Sequence, residues 1–158
     1  LNKLSSYNLF NNLLPGVLFL VLLEQFTEYK ISQDNIILSV FLFYFIGLTI
    51  SRISSITIEP ILKKVKFVSF RDYKLFIKAS QKDTKLDILV ETNNKFRVLL
   101  TTIILIILSK VYYSFNLNFF NFSANTQQYL LLIFIALIYL FAYRKQTNYI
   151  TKRIDANN

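Results

Sequence analysis

Four apolar blocks divide the chain, at residues 9–27, 36–52, 98–115 and 129–143, with polar or charged stretches between them. A bilayer span needs about 20 predominantly apolar residues, with a range of about 17–25. The first three blocks meet that length. The fourth reaches it when the uncharged residues before it are included, giving a span of 127–143. A soluble core helix would show a polar face every turn, and residues 103–108 and 129–143 show almost none. In hydrocarbon a helix satisfies its own backbone polar groups. The expected fold is therefore all-α: a polytopic membrane protein with four transmembrane helices, its 158 residues forming a single membrane domain. The first block contains Pro15 and Glu24, lacks a small-residue cleavage pattern and precedes three more blocks, so it reads as a retained span rather than a leader peptide.

Composition excludes several chemistries. Hydrophobic residues make up 54% of the chain and charged residues only 17%, away from the balance of a soluble domain. His and Cys are both absent, which removes His and thiolate metal sites, disulfides and thiol nucleophiles. No span carries a recognisable nucleophile–base pair. The chain is expected to be no enzyme, with no catalytic, cofactor-binding or metal-binding residue.

Basic residues set the expected orientation. Eleven of the eighteen Lys and Arg lie at 52–97, and four more at 144–158. The connection between the first two blocks has only Lys30, offset by Glu28 and Asp34, and residues 116–128 carry no charge. Lys and Arg stay on the cytoplasmic side. Both termini and the segment 54–96 are thus expected in the cytoplasm, with two short connections outside. Aromatics flank the blocks at Tyr7, Phe10, Phe26, Tyr29, Tyr112, Tyr113, Phe119, Phe120, Tyr129 and Tyr143, the interfacial positions such rings favour. Asn121-Phe122-Ser123 matches a glycosylation sequon, a short and common motif.

In the segment 54–96, Pro60 ends the second helix or opens the next. Residues 69–92 read as one further helix with Phe70, Tyr73, Ile77, Leu86, Leu89 and Val90 as a broken apolar stripe. Lys74, Lys78 and Lys82 form a basic row at i, i+4, i+8. Asp83, Asp87 and Glu91 form an acidic row. The basic row suits either anionic headgroups, where each lysine near the surface contributes about 1 kcal/mol, or a soluble protein partner. Net charge +9 is explained by topology, so nucleic acid is not an expected partner.

Several residues inside the blocks call for an explanation. Pro15 and Gly16 favour a kink in the first helix. Gly47, Ser51 and Ser55 share one face of the second, and small residues allow close helix approach in a bilayer. Glu24 and Lys110 lie roughly 22 Å and 20 Å along outward-running helices. At similar depth they are expected to pair, because an isolated intramembrane charge is costly. The alternative use of Glu24 is as the carboxylate of a small ion- or proton-coupled transporter. Arg52 and Glu59 are spaced to clamp the exit of the second helix.

At Asn11-Asn12-Leu13-Leu14-Pro15-Gly16, at 47–60 (GLTISRISSITIEP) and at 82–97 (KDTKLDILVETNNKFR), the chain resembles small four-span bacterial membrane proteins. Some of these are similar to membrane components of antiphage defence systems. The resemblance implies an inner-membrane effector or sensor that works with a cytosolic partner. It carries no catalytic residue. Four thin helices leave little room for a pore in one copy, so the chain is expected to self-associate into a homo-oligomer, as an effector or an anchoring module.

Overall fold

The computed structural model describes residues 2–31, 34–83, 85–114 and 124–157. These form helices and connections, with no strand among them: α1 (Asn2–Phe26), α2 (Ile36–Ile53), a π-turn (Ser54–Ile58), α3 (Glu59–Lys64), α4 (Tyr73–Lys82), α5 (Lys85–Ser114) and α6 (Ala124–Asn157). Three helical runs are long and apolar enough to cross a membrane: Ile36–Lys64, Lys85–Ser114 and Tyr129–Tyr149. The described part of the first block, Asn11–Phe26, is a shorter apolar helix.

Each helix outruns its apolar block at the basic end. α2 passes through the π-turn into α3 without a break, α5 begins thirteen residues before the third block, and α6 continues to Asn157. The one helix breaker in those flanks, Pro60, falls in the first turn of α3, where its missing N–H is tolerated, and the Lys, Glu and Gln around it propagate a helix well. The expected helix at 69–92 is instead two. Asp83, placed by spacing in an acidic row, is an N-cap: its carboxylate accepts the Lys85 N–H at 2.9 Å and opens α5. Asp72 caps α4 in the same way through the Lys74 N–H at 2.7 Å, and Asn35 caps α2 through Ile37 and Leu38. α3 ends in a Schellman arrangement, with Phe67 N–H bonded to Leu62 O and Lys66 N–H to Lys63 O. Lys66 takes the left-handed conformation there, φ 59°, a position that usually falls to glycine.

Both glycines of the chain lie elsewhere, where α1 crosses α2. A methyl group added to Gly16 would land on the carbonyl oxygen of Phe43, with the Gly47 nitrogen 3.0 Å away. One added to Gly47 would land on the carbonyl of Asn12, with the Gly16 nitrogen at 3.2 Å. The two antiparallel helices thus touch backbone to backbone. Each glycine aims a Cα–H at a carbonyl of the other helix, a contact worth ~0.5–1 kcal/mol. α1 runs through Pro15 as one helix. The sequence places Gly16 beside the proline as part of a kink; in the fold its packed partner is Gly47.

α5 lies against both α1 and α2. Leu20 and Leu23 of α1, Ile50 of α2 and Val98 and Ile106 of α5 form the buried apolar core. Thr101 and Thr102 are buried with them, and their hydroxyls donate to the carbonyls of Arg97 and Val98 on their own helix. Hydroxyls satisfied in this way leave no polar demand on the neighbouring helix. α6 packs on α2 through Ile138 and through Tyr139, whose ring stacks on Phe45 at 6.5 Å. Many of its other apolar side chains, Leu131, Leu132, Ile133 and Phe134 among them, are exposed. Near its basic end α6 also carries α4, through Tyr73 against Tyr149 at 5.9 Å.

Replacing Gly47 or Gly16 by Ala should force the α1–α2 crossing apart and lower stability by about 1–3 kcal/mol. Val21→Ala, at an exposed site on α1, should stay within about 0.5 kcal/mol of the parent. Unfolding in mixed micelles followed by circular dichroism would measure both.

Candidate functional site

The densest charge cluster begins with a backbone irregularity. Around the π-turn the Glu59 N–H bonds to Ser54 O, five residues back rather than four. In that register the next donor would be residue 60 and its acceptor Ser55 O. Residue 60 is proline and has no N–H. The carbonyl of Ser55 is taken by a side chain from another helix, the ammonium of Lys145 on α6. One missing amide on α2–α3 is thereby replaced by a lysine from α6.

The π-turn also turns Glu59 inward, where it is 6% exposed. Three cations meet its carboxylate. Lys63 Nζ lies 2.7 Å from Oε1, one turn along the same helix. Arg97 Nη1 of α5 donates to Oε2, and Lys145 Nζ lies 3.3 Å from the same oxygen. Arg97 also donates through Nε to the Ser54 hydroxyl at 3.2 Å, and Ser54 is fully buried. One carboxylate therefore ties α3, α5 and α6 together. The guanidinium that reaches Glu59 is that of Arg97, not Arg52. The extra residue of the π-turn rotates everything after it by about 100°, so the seven-residue spacing no longer puts Arg52 and Glu59 on one face.

Arg52 lines a cavity of about 550 Å3 on the other side of Ser55, between α1, α2 and α5. The three sequence stretches that carry the resemblance meet here. Asn11, Asn12 and Pro15 come from the first, Ser51, Arg52 and Ser55 from the second, and Glu91, Asn94, Lys95 and Arg97 from the third. The Asn11 amide donates to the Glu91 carboxylate at 2.7 Å, fastening α1 to α5 across the wall. Arg52, Lys95 and Arg97 against Glu91 leave the lining net positive, with amides and serine hydroxyls between the charges. The volume falls within the roughly 300–1,000 Å3 of ligand pockets. Its lining offers positive charge, amides and hydroxyls to whatever enters. Among the described residues no three Asp or Glu gather as a metal cluster.

Gly47 is at the helix crossing, while Ser51 and Ser55 continue its face into the cavity wall. Glu24 accepts the Ile31 N–H at 2.9 Å, just past the end of α1, and Lys110 sits 5.0 Å over the ring of Phe26. Both charges thus lie at the end of the bundle opposite Glu59. Tyr29 and Tyr113 meet edge to face there, at 6.1 Å. Lys74, Lys78 and Lys82 all lie on α4 and are exposed. The apolar stripe expected over 69–92 is split: Ile77 of α4 is 2% exposed, Tyr73 of α4 meets α6 and Phe70, before α4, lies under Lys63, whereas Leu89 and Val90 belong to α5 and face outward. The side chains of Tyr7 and Phe10, and the residues Phe119, Phe120 and Asn121-Phe122-Ser123, lie outside those described.

Arg97 and Lys145 are the site residues that sequence reasoning missed. The usable signal was position, since Arg97 and Lys145 stand within two residues of the basic end of an apolar block and Glu59 lies seven residues past another. No protein-family model, curated protein or solved structure matches the chain.

Glu59→Gln would leave three cations around a buried neutral group and should destabilise by about 3–5 kcal/mol. Lys63→Gln, at a side chain 42% exposed, should cost under about 1 kcal/mol. Pro60→Ala restores a backbone donor for Ser55 O, so Lys145→Gln should cost less in that background than alone. A double-mutant cycle should show coupling on the order of 1 kcal/mol.

Proposed function

We propose that the chain is a four-span protein of the bacterial inner membrane, with both termini and the segment 54–96 in the cytoplasm. It acts without catalysis as a self-associating effector or sensor module, governed from its basic cytoplasmic segment, in the setting of antiphage defence. The observation that carries this reading is the joint at Glu59. A single buried carboxylate holds α3, α5 and α6, and the polar cavity beside it is built from α1, α2 and α5. A ligand or partner acting at this end therefore touches every long helix.

Further features support the membrane arrangement. α1 is fastened to the middle of α2 by backbone contact, and a helix so fastened shares the depth of its neighbour. The apolar flanks of α2, α5 and α6 are largely exposed, as lipid-facing surfaces are. Lys and Arg gather at one end of the helices, in keeping with the positive-inside rule. Four thin helices leave little room for a channel within one copy, so conductance requires several copies around an axis, usually in closed symmetry. α4 rests on the basic end of α6, which links the Lys74, Lys78 and Lys82 row to the Glu59 joint.

Overexpression with a potential-sensitive dye and membrane crosslinking tests this. The expected result is crosslinked multimers and depolarisation, the depolarisation lost in Glu59→Gln and in Arg52→Gln. Multimers absent at every expression level would overturn the effector reading. Lys78→Cys should react with an impermeant maleimide only in opened cells; reaction in intact cells would invert the topology.

A further inference from the structure

A second cavity, of about 380 Å3, opens between the α2–α3 run and α6 on the outer side of the Glu59 joint. Its walls change character along both helices. On α6 Phe141 comes first, and Arg144, Lys145 and Asn148 follow within two turns toward the basic end. On the facing run Ile56 comes first, then Pro60 and Lys63. The cavity is thus apolar where it adjoins the spans and cationic where it leaves them.

The charges do not balance. Lys63, Lys145 and Arg97 share one carboxylate, Glu59. Arg144 adds a further cation, is exposed, and makes no ion pair with any described residue. An excess of positive charge beside a low-dielectric wall favours an anion. The fixed fork of a guanidinium matches a phosphate, with lysines as supporting point charges. Below Arg144, at helical spacing on the same face of α6, Phe141, Leu137 and Phe134 form a continuous exposed apolar track. A free anion would use the cations and leave that track bare. An acidic peptide, like a free anion, would reach the cations from the end away from the spans and leave the track bare.

We propose that this cavity binds the phosphate of an anionic phospholipid, with an acyl chain lying along Phe141, Leu137 and Phe134. The proposal rests on the membrane-spanning reading given above. Bound there, the lipid bridges α6 to the α2–α3 run at the level of the Glu59 joint, so leaflet charge bears directly on how α6 is held.

Native mass spectrometry of the full chain in detergent, titrated with phosphatidylglycerol or phosphatidylcholine of matched acyl chains, tests the site. The expected result is one tightly retained phosphatidylglycerol, bound about tenfold more tightly than phosphatidylcholine, a difference of about 1.4 kcal/mol. Arg144→Gln should remove most of that preference, and Arg144→Lys should restore part of it. Phe141→Ser should weaken both lipids alike. Unchanged phosphatidylglycerol retention in Arg144→Gln would overturn the assignment. So would an equal loss in Lys74→Gln/Lys78→Gln, which would mean total charge rather than this cavity. Displacement of the lipid by inorganic phosphate at equal concentration would reassign the site to a free anion. Vesicle flotation of the same preparations separates these outcomes from failure of the membrane reading, which would leave the chain unfloated with either lipid.

Discussion

Two glycine Cα–H groups pointed at two carbonyl oxygens fix the distance between α1 and α2, and the rest of the molecule is assembled on that pair. Between helices in hydrocarbon, burial of apolar side chains gains little, because lipid tails are as apolar as leucine. What remains is close packing and polar contact. Gly16 and Gly47 supply both, by bringing each backbone within reach of the other's carbonyl. The groove made by this approach receives α5, whose Thr101 and Thr102 are compact and bonded to their own helix. Larger side chains at either crossing point would widen the pair and leave α5 without a seat.

The same approach fixes the far end of α2, where the electrostatics are concentrated. A carboxylate as buried as Glu59 is costly to desolvate, and three cations from three directions offset that cost. The cluster stands past the apolar blocks, where Lys63 and Arg144 are exposed. Midway across a bilayer the surplus of positive charge would be prohibitive. Placing it at the rim allows a strongly coupled joint and a cation-rich surface in the same few residues.

The helical class and three of the four expected spans were legible because they depend on composition over long windows. The 98–115 block needs no partner to announce itself. Details that depend on one residue's partner were not legible. Gly16 stands next to Pro15, so local grammar points to a bend; its contact is on a helix 31 positions away, and no local pattern encodes that. Asp83 fits a four-residue acidic spacing as well as it fits an N-cap, and only the break before Lys85 decides. Arg52 and Glu59 align on an ideal α-helix, but one wide turn between them destroys the alignment. That turn has a local cause in Pro60, yet proline also opens ordinary helices, and the sequence alone does not choose.

The lysine that stands in for the missing amide has a mechanical consequence. If α6 slid along α2–α3 by a single helical turn, about 5.4 Å, the Ser55 carbonyl would lose the lysine that stands in for the missing amide, and Glu59 would lose a counter-ion at the same instant. The long flexible stem of lysine tolerates tilting of one rod against the other about its tip. The contact at its tip thus resists travel of α6 along its neighbour more than it resists tilt.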